Sequence, residues 1–222
     1  MSGQQVKAAR KGLGLTQQQA ARRWRMSQPY LSLVENDRRR VPVRVVRMLA
    51  RNDPSATTAL PHDATVDADL PRALGSLGYG GFGYLADPRA VTNPAAVLLA
   101  ALRRTYVPAR VTEALPWLVA RFADLEWDWL VNEAKRWNVQ NRLGYLVSLA
   151  MDVARRQGDT VTVSRLESVE QHLEAARLAK EDTLGRVLTE AERRYLREYR
   201  PAGAAHWNLL TSLGADNLRY GD

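Results

Sequence analysis

Guanidinium groups are the most abundant reactive feature of this chain, and their spacing is uneven. Arg38, Arg39 and Arg40 stand in an unbroken row. Residues 1–52 hold 12 Lys and Arg in all (Lys7, Arg10, Lys11, Arg22, Arg23, Arg25, Arg38, Arg39, Arg40, Arg44, Arg47 and Arg51) against Glu35 and Asp37 alone, a net +10. The remainder carries 20 basic and 22 acidic residues, net −2, so the whole-chain excess of +8 resides in the N-terminal segment. A guanidinium offers phosphate oxygens a fixed fork of N–H donors, and a one-sided positive field attracts a polyanion and releases its counterions. The chemistry implied is phosphate binding; only together with the helix pair described below does it point to double-stranded DNA as the partner. For the arginine triplet taken alone, a solvated charge run is the alternative.

Other groups that could do chemistry fall out on spacing. The three histidines, His62, His172 and His206, give no metal-binding pair on a helix, and His172 is assigned no role. The chain has no cysteine, which excludes disulfides, a thiolate zinc site and a cysteine nucleophile, and fits a reducing cytoplasm. No serine sits in a Gly-x-Ser-x-Gly context. Asp124, Glu126 and Asp128 stand two residues apart, so neighbours do not share a helix face and make a poor acid/base pair. Glu190 and Glu192 are better explained as helix-capping residues. Arg193, Arg194, Arg197 and Arg200 line one helix, and a solvated face is favoured there over a second DNA contact. The expectation is a protein without enzymatic activity, cofactor or metal.

The basic segment needs elements to position it. Thr16 is an N-cap, with Gln19 three residues on to complete a capping box. Ala20, Ala21 and Trp24 then recur at helical spacing and face a core. Arg25-Met26-Ser27 makes a tight turn, Ser27 caps a second helix, and Pro29 lies near its first position. Leu31 and Val34 form an apolar seam on that helix, which leaves Gln28, Tyr30, Ser32 and Leu33 pointing outward. A helical hairpin with no nucleic-acid role would show the same caps; the charge favours DNA.

Leu15-Thr16-Gln17, Ala21, Ser27, the Leu31/Val34 pair and Glu35-Asn36 make residues 5–52 similar to the Cro/CI (XRE-type) helix-turn-helix family. The resemblance implies that the second helix enters the major groove. The DNA-facing set would be Gln17, Ser27, Gln28, Pro29, Tyr30, Ser32 and Leu33, with Arg38, Arg39 and Arg40 along the backbone. Gln28 would bond adenine bidentately, Leu33 would touch a thymine methyl, and Gln17 would contact phosphate. Arg10 and Glu35 match a buried ion pair between the first helix and the recognition helix. There are two departures. Arg25 replaces the usual turn glycine, and Pro29 replaces a base reader and has no backbone N–H. A symmetric homodimer reading two half-sites of an operator is implied.

In chain order, residues 6–11 read as a first helix ended by Gly12 or Gly14, and Pro42 starts a fourth with Val45, Met48 and Leu49 inward. Residues 52–59 read as a break, so a fifth helix is doubtful. The expected organisation is all-α: a four- to five-helix domain over 1–52, a linker and Gly-rich loop over 53–92, and a larger helical domain over 93–222. The linker reading rests on Pro54, Pro61 and Pro71, with an acidic cluster at Asp63, Asp67 and Asp69 that either solvates the linker or folds back on the basic face. Residues 75–84 are glycine-rich but lack a preceding strand and Gly-Lys-Ser/Thr, so they are no phosphate loop; Tyr79, Phe82 and Tyr84 would pin them. No apolar run approaches the ~18 residues of a membrane span, and no signal segment opens the chain.

From residue 93 the pattern is helical: 93–104, 108–122 with Pro116 a kink or break, 124–137, 138–156, 163–180, 189–200 and 204–213. Only Thr160-Val161-Thr162-Val163 reads extended. Residues 124–137 carry two apolar stripes, one with Trp127, Leu130, Val131, Ala134 and Trp137, the other with Leu125 and Trp129. Such a helix is sandwiched within its domain or touches a partner; Trp127, Trp129 and Trp137 are the interface candidates.

Residues 91–156 also resemble the middle helical part of abortive-infection (AbiE-type) antitoxins, most specifically in Asn141-Arg142-Leu143-Gly144-Tyr145-Leu146. That resemblance implies an operon-autoregulating repressor that binds a toxin, often a nucleotidyltransferase, through its C-terminal domain. Two alternatives stay open: an interaction protein that chiefly sequesters a toxin, and a stand-alone or phage regulator sensing a small ligand.

Overall fold

A computed structural model describes residues 1–50, 54–62, 68–87, 89 and 91–218. The chain forms two compact units, Met1–Pro61 and His62–Asp222.

The first unit is built from four short helices: α1 (Gly3–Gly12), α2 (Gln17–Arg23), α3 (Gln28–Glu35) and α4 (Val43–Ala50). Each of the first three is started by a side-chain cap. Ser2 and Gln5 form a capping box on α1, Thr16 and Gln19 another on α2, and the Ser27 hydroxyl accepts from the Tyr30 N–H on α3. The Ser2 box explains why α1 begins three residues before the apolar periodicity does. The same three helices stop alike. Gly14, Arg25 and Asp37 lie just past their ends with φ of 65°, 52° and 57°. In each case the next residue's N–H bonds back to a carbonyl one turn inside: Leu15 to Arg10, Met26 to Ala21, Arg38 to Leu33. This is the Schellman termination, which satisfies the last carbonyls. Val6, Ala20, Ala21, Trp24, Leu31, Val34, Val45, Val46 and Leu49 are buried and supply the core. In place of a fifth α-helix there is a short 3-10 helix, Pro54–Ala59; Asn52 and Asp53 lie outside the described residues.

The second unit contains α5 (Leu70–Ser76), α6 (Pro94–Arg103), α7 (Ala109–Arg121), α8 (Trp127–Arg136), α9 (Gln140–Gln157), α10 (Thr160–Glu174), α11 (Glu190–Tyr199) and α12 (Ala202–His206). Its one sheet among the described residues is a parallel pair, β1 (Asp182–Thr183) on β2 (Leu209–Leu210). The helix α9 is the hub, packing against α7, α8, α10 and α12. Its buried Leu143, Tyr145, Leu146, Val147, Leu149, Ala150 and Met151 reach nearly all round the helix. No helix is long and apolar enough to cross a membrane, among the described residues.

The structure departs from the sequence expectation at several places. The stretch expected as linker contains α5, whose Leu70, Leu74 and Leu77 are buried in the second unit's core; Pro71 opens the helix, and Asp69 caps it by accepting from the Arg72 N–H. Of the acidic cluster, Asp63 and Asp67 lie outside the described residues. The Gly-rich loop folds partly as a 3-10 helix, Gly80–Leu85, with Phe82 buried and Tyr79 against Trp117, while Tyr84 is exposed. Thr160-Val161-Thr162-Val163 is the first turn of α10, because the Asp159 carboxylate accepts from the Thr162 N–H and caps it. The expected last helix is cut to α12, since Asn208 turns the chain at φ 53° into β2. Pro116 sits inside α7, which runs through it with Leu115, Leu118 and Val119 buried around it.

Candidate nucleic-acid interface

The outward surface of α3 is set by one run of polar contacts that begins inside the domain. Arg10 on α1 donates through Nε to Glu35 Oε1 at 2.6 Å and through Nη2 to Oε2 at 3.2 Å, and its Nη1 bonds the Leu15 carbonyl at 2.9 Å. The Glu35 side chain is 1% exposed and that of Arg10 12%. Burial pushes the Glu35 carboxyl up, but hydrogen bonds from Arg10 and Gln17, with the charges of Arg10 and Lys7, outweigh it and hold it below its ordinary value. The bond to Glu35 in turn raises Arg10. Gln17 Nε2 donates to Glu35 Oε2 at 2.9 Å, and Gln28 Nε2 donates to Gln17 Oε1 at 2.8 Å.

The amides therefore have a fixed direction. Gln17 opens α2 and Gln28 opens α3, so their bond holds the two helix starts side by side. An amide has two N–H donors and one carbonyl acceptor. Gln28 spends one donor on Gln17 and keeps one N–H and its carbonyl, the pair that an adenine edge takes in the major groove. Gln17 keeps one N–H for an anion.

Around this pair the structure places the other sequence-derived residues as follows. Pro29, Tyr30 and Leu33 are exposed on α3, and Ser32 is half-buried. Ser27 caps α3 through its oxygen, which leaves its O–H as a donor. Arg38, Arg39 and Arg40 are exposed in the segment after α3, and none of them pairs with an acidic side chain among the described residues. Arg25 adopts the left-handed conformation that the missing turn glycine demands. Two supporting contacts are not legible in the sequence. Arg44 Nη2 donates to the Arg25 carbonyl at 2.7 Å and braces the turn from α4. The Asp37 carboxylate accepts from the Gly3 N–H, tying the start of α1 to the end of α3. Both join residues far apart in sequence, so no local pattern announces them.

The tryptophan candidates of the second unit are engaged within it. Trp127 packs against the core and donates to the Ala123 carbonyl at 3.0 Å. Trp129 stacks on His62 at 3.8 Å between ring centroids and 13° between planes, and His62 Nε2 lies 2.9 Å from Glu126 Oε2. Trp137 is 45% exposed under the Arg103 guanidinium, 3.6 Å from its ring centroid. Trp127 and Trp129 thus pack within their own unit, whereas Trp137, just past the end of α8, keeps an exposed face. On α11, Arg197 grips Glu181 with contacts of 3.0 and 2.9 Å, so that arginine row is partly paired. No cluster that could hold a metal ion occurs among the described residues.

Residues 3–51 match a protein family described as a helix-turn-helix domain. The N-terminal unit holds a helix-turn-helix domain. The match covers less than a quarter of the 222-residue chain and supports a DNA-binding regulator. Comparison with curated proteins and comparison with solved structures give no match. No similar protein supports the AbiE-type resemblance or a toxin partner. The residues that carry that resemblance have structural work to do here. Arg142 donates to both carboxylate oxygens of Asp182 at 2.6 and 2.8 Å and to the carbonyls of Leu102 and Arg104. Asn141 bonds both polar groups of the Leu178 backbone.

Proposed function

We propose that the protein is a sequence-specific transcriptional repressor of the XRE type, which binds operator DNA as a dimer on two half-sites and has no enzymatic activity. The observation that carries this reading is the Gln28–Gln17–Glu35–Arg10 chain, which aims a half-satisfied amide outward from the start of α3 in a domain of net +10. Exposed Arg38, Arg39 and Arg40 supply the backbone contacts. The α9-centred body serves dimerisation or partner binding, and its work is done in the cytoplasm. A toxin partner rests on the residue 91–156 resemblance alone, and Arg142 and Asn141 are spent there on holding the fold.

The test is enrichment of random duplexes by the full-length chain, followed by Gln28→Ala on the enriched site. The variant should lose roughly 1–3 kcal/mol at one base pair and relax preference there. A uniform loss across all sequences would remove Gln28 from base reading.

A further inference from the structure

The helix α11 has one face that its own unit does not use. Leu196 anchors the helix in a small apolar cluster with Leu188 and Leu210. Ala191, Arg194, Tyr195, Glu198 and Tyr199 are all exposed. Tyr195 and Tyr199 are each 61% exposed, and their ring centroids lie 4.8 Å apart, so they form an aromatic ridge one turn long in open water. Four of the charged side chains on this helix are engaged: Arg193 with Glu190, Arg197 with Glu181, and Glu192 with Arg186. Arg194 and Glu198, one turn apart beside the tyrosines, have no ionic partner among the described residues. The helix carries three acidic and three basic side chains, so it offers a polyanion no net attraction. Its two unpaired charges are one of each sign, and a face of that kind is complementary to itself. When two copies of α11 lie antiparallel about a two-fold axis at the level of residue 196, each Arg194 stands opposite the second copy's Glu198, both about 3 Å along the helix from that level. The four tyrosines then interleave beside them in steps of about 3 Å, and tyrosine is a residue that protein interfaces favour.

We infer that α11 is the surface through which the chain pairs with a second copy of itself, with the Tyr195–Tyr199 ridges interleaved and Arg194 and Glu198 paired across the axis. This rests on the dimer reading above and gives that dimer a place. One ten-residue helix covers less than the roughly 800 Å² per partner of a standard interface, so the association is a weak one.

The experiment is sedimentation of the full-length chain over a concentration series at low salt, with circular dichroism as the check on folding. The natural chain should pass from monomer to dimer. Arg194→Glu and Glu198→Arg should each weaken the association about tenfold, because either change sets two pairs of like charges face to face. The variant carrying both changes should recover it, which a merely structural role for either residue would not produce. Tyr195→Ala should weaken the association with the fold intact, since the side chain is exposed; should it alter the dichroism, Tyr199→Ala carries the same comparison. A dimer that the single charge changes leave untouched, or that the double change does not recover, overturns the inference while the dimer reading stands. A chain that stays monomeric throughout the series removes the dimer reading and this one with it. If Arg194→Glu lowers affinity for duplex DNA and leaves self-association unchanged, the face is a second DNA contact and the inference is overturned.

Discussion

Glu35 sits where an unpaired carboxylate would be costly, and its two partners determine how the domain responds to acid. Its carboxyl is held below the ordinary value of 4.5 in the folded chain. The unfolded state therefore binds a proton first as pH falls. The stabilisation is fully present above about pH 4.5 and is lost as pH drops through the lowered folded value. Hydrogen exchange of the α1 and α3 amides should accelerate on that acid limb, and Glu35→Gln should flatten the dependence. Removing one member of a buried pair strands the other, so Arg10→Ala should cost about 3 kcal/mol in urea unfolding of this unit. Arg25 presents the opposite case. Its φ of 52° is a conformation glycine adopts freely, and Arg25→Gly should stabilise the unit by about 1 kcal/mol, seen as a raised urea midpoint. Arg44 should retain its bond to the backbone carbonyl at that position, because the substitution leaves the carbonyl in place.

Close packing on α9 leaves little room for change. A Cβ built on Gly144 would lie 2.3 Å from the Trp207 ring. Trp207 is fully buried, and its Nε1 donates to Ser148 Oγ at 2.8 Å. Gly144→Ala should cost about 2–3 kcal/mol through overpacking, read as a lower thermal midpoint of the second unit with the α3 amides unchanged in exchange. The elements most readable from sequence are those with a cap and a clear apolar stripe. Thr16 with Gln19 and Thr189 with Glu192 both mark true helix starts. Leu70, Ala73, Leu74 and Leu77 carry the same spacing as any amphipathic helix, yet Pro71 and the nearby glycines mask it; proline at a first turn is a start signal as much as a break. The β-branched run at Thr160 suggests a strand, and only the preceding Asp159 cap reverses that. At the candidate site the residue types on α3 are legible, since outward positions follow from the Leu31/Val34 seam. The amide chain through Gln17 is not, because it joins three helices.

At the scale of the molecule the charge is segregated: +10 over residues 1–52 and −2 beyond. A body without net positive charge adds little non-specific attraction, so the salt dependence of duplex binding should come from the N-terminal unit. Replacing Arg38 and Arg39 together with Ala should weaken binding to all sequences and reduce the slope of log K against log salt by about 0.9 for each phosphate these side chains neutralise. An unchanged slope would remove them from the footprint. The run from Arg10 to Gln28 has a bearing on genetics. On the repressor function proposed above, a screen for alleles that release repression should return substitutions at Arg10, on the first helix, beside those at Gln28 itself. Alleles at Arg10 would differ from those at Gln28 in one respect: stranding Glu35 also destabilises the unit, so less of the protein should accumulate in the cell.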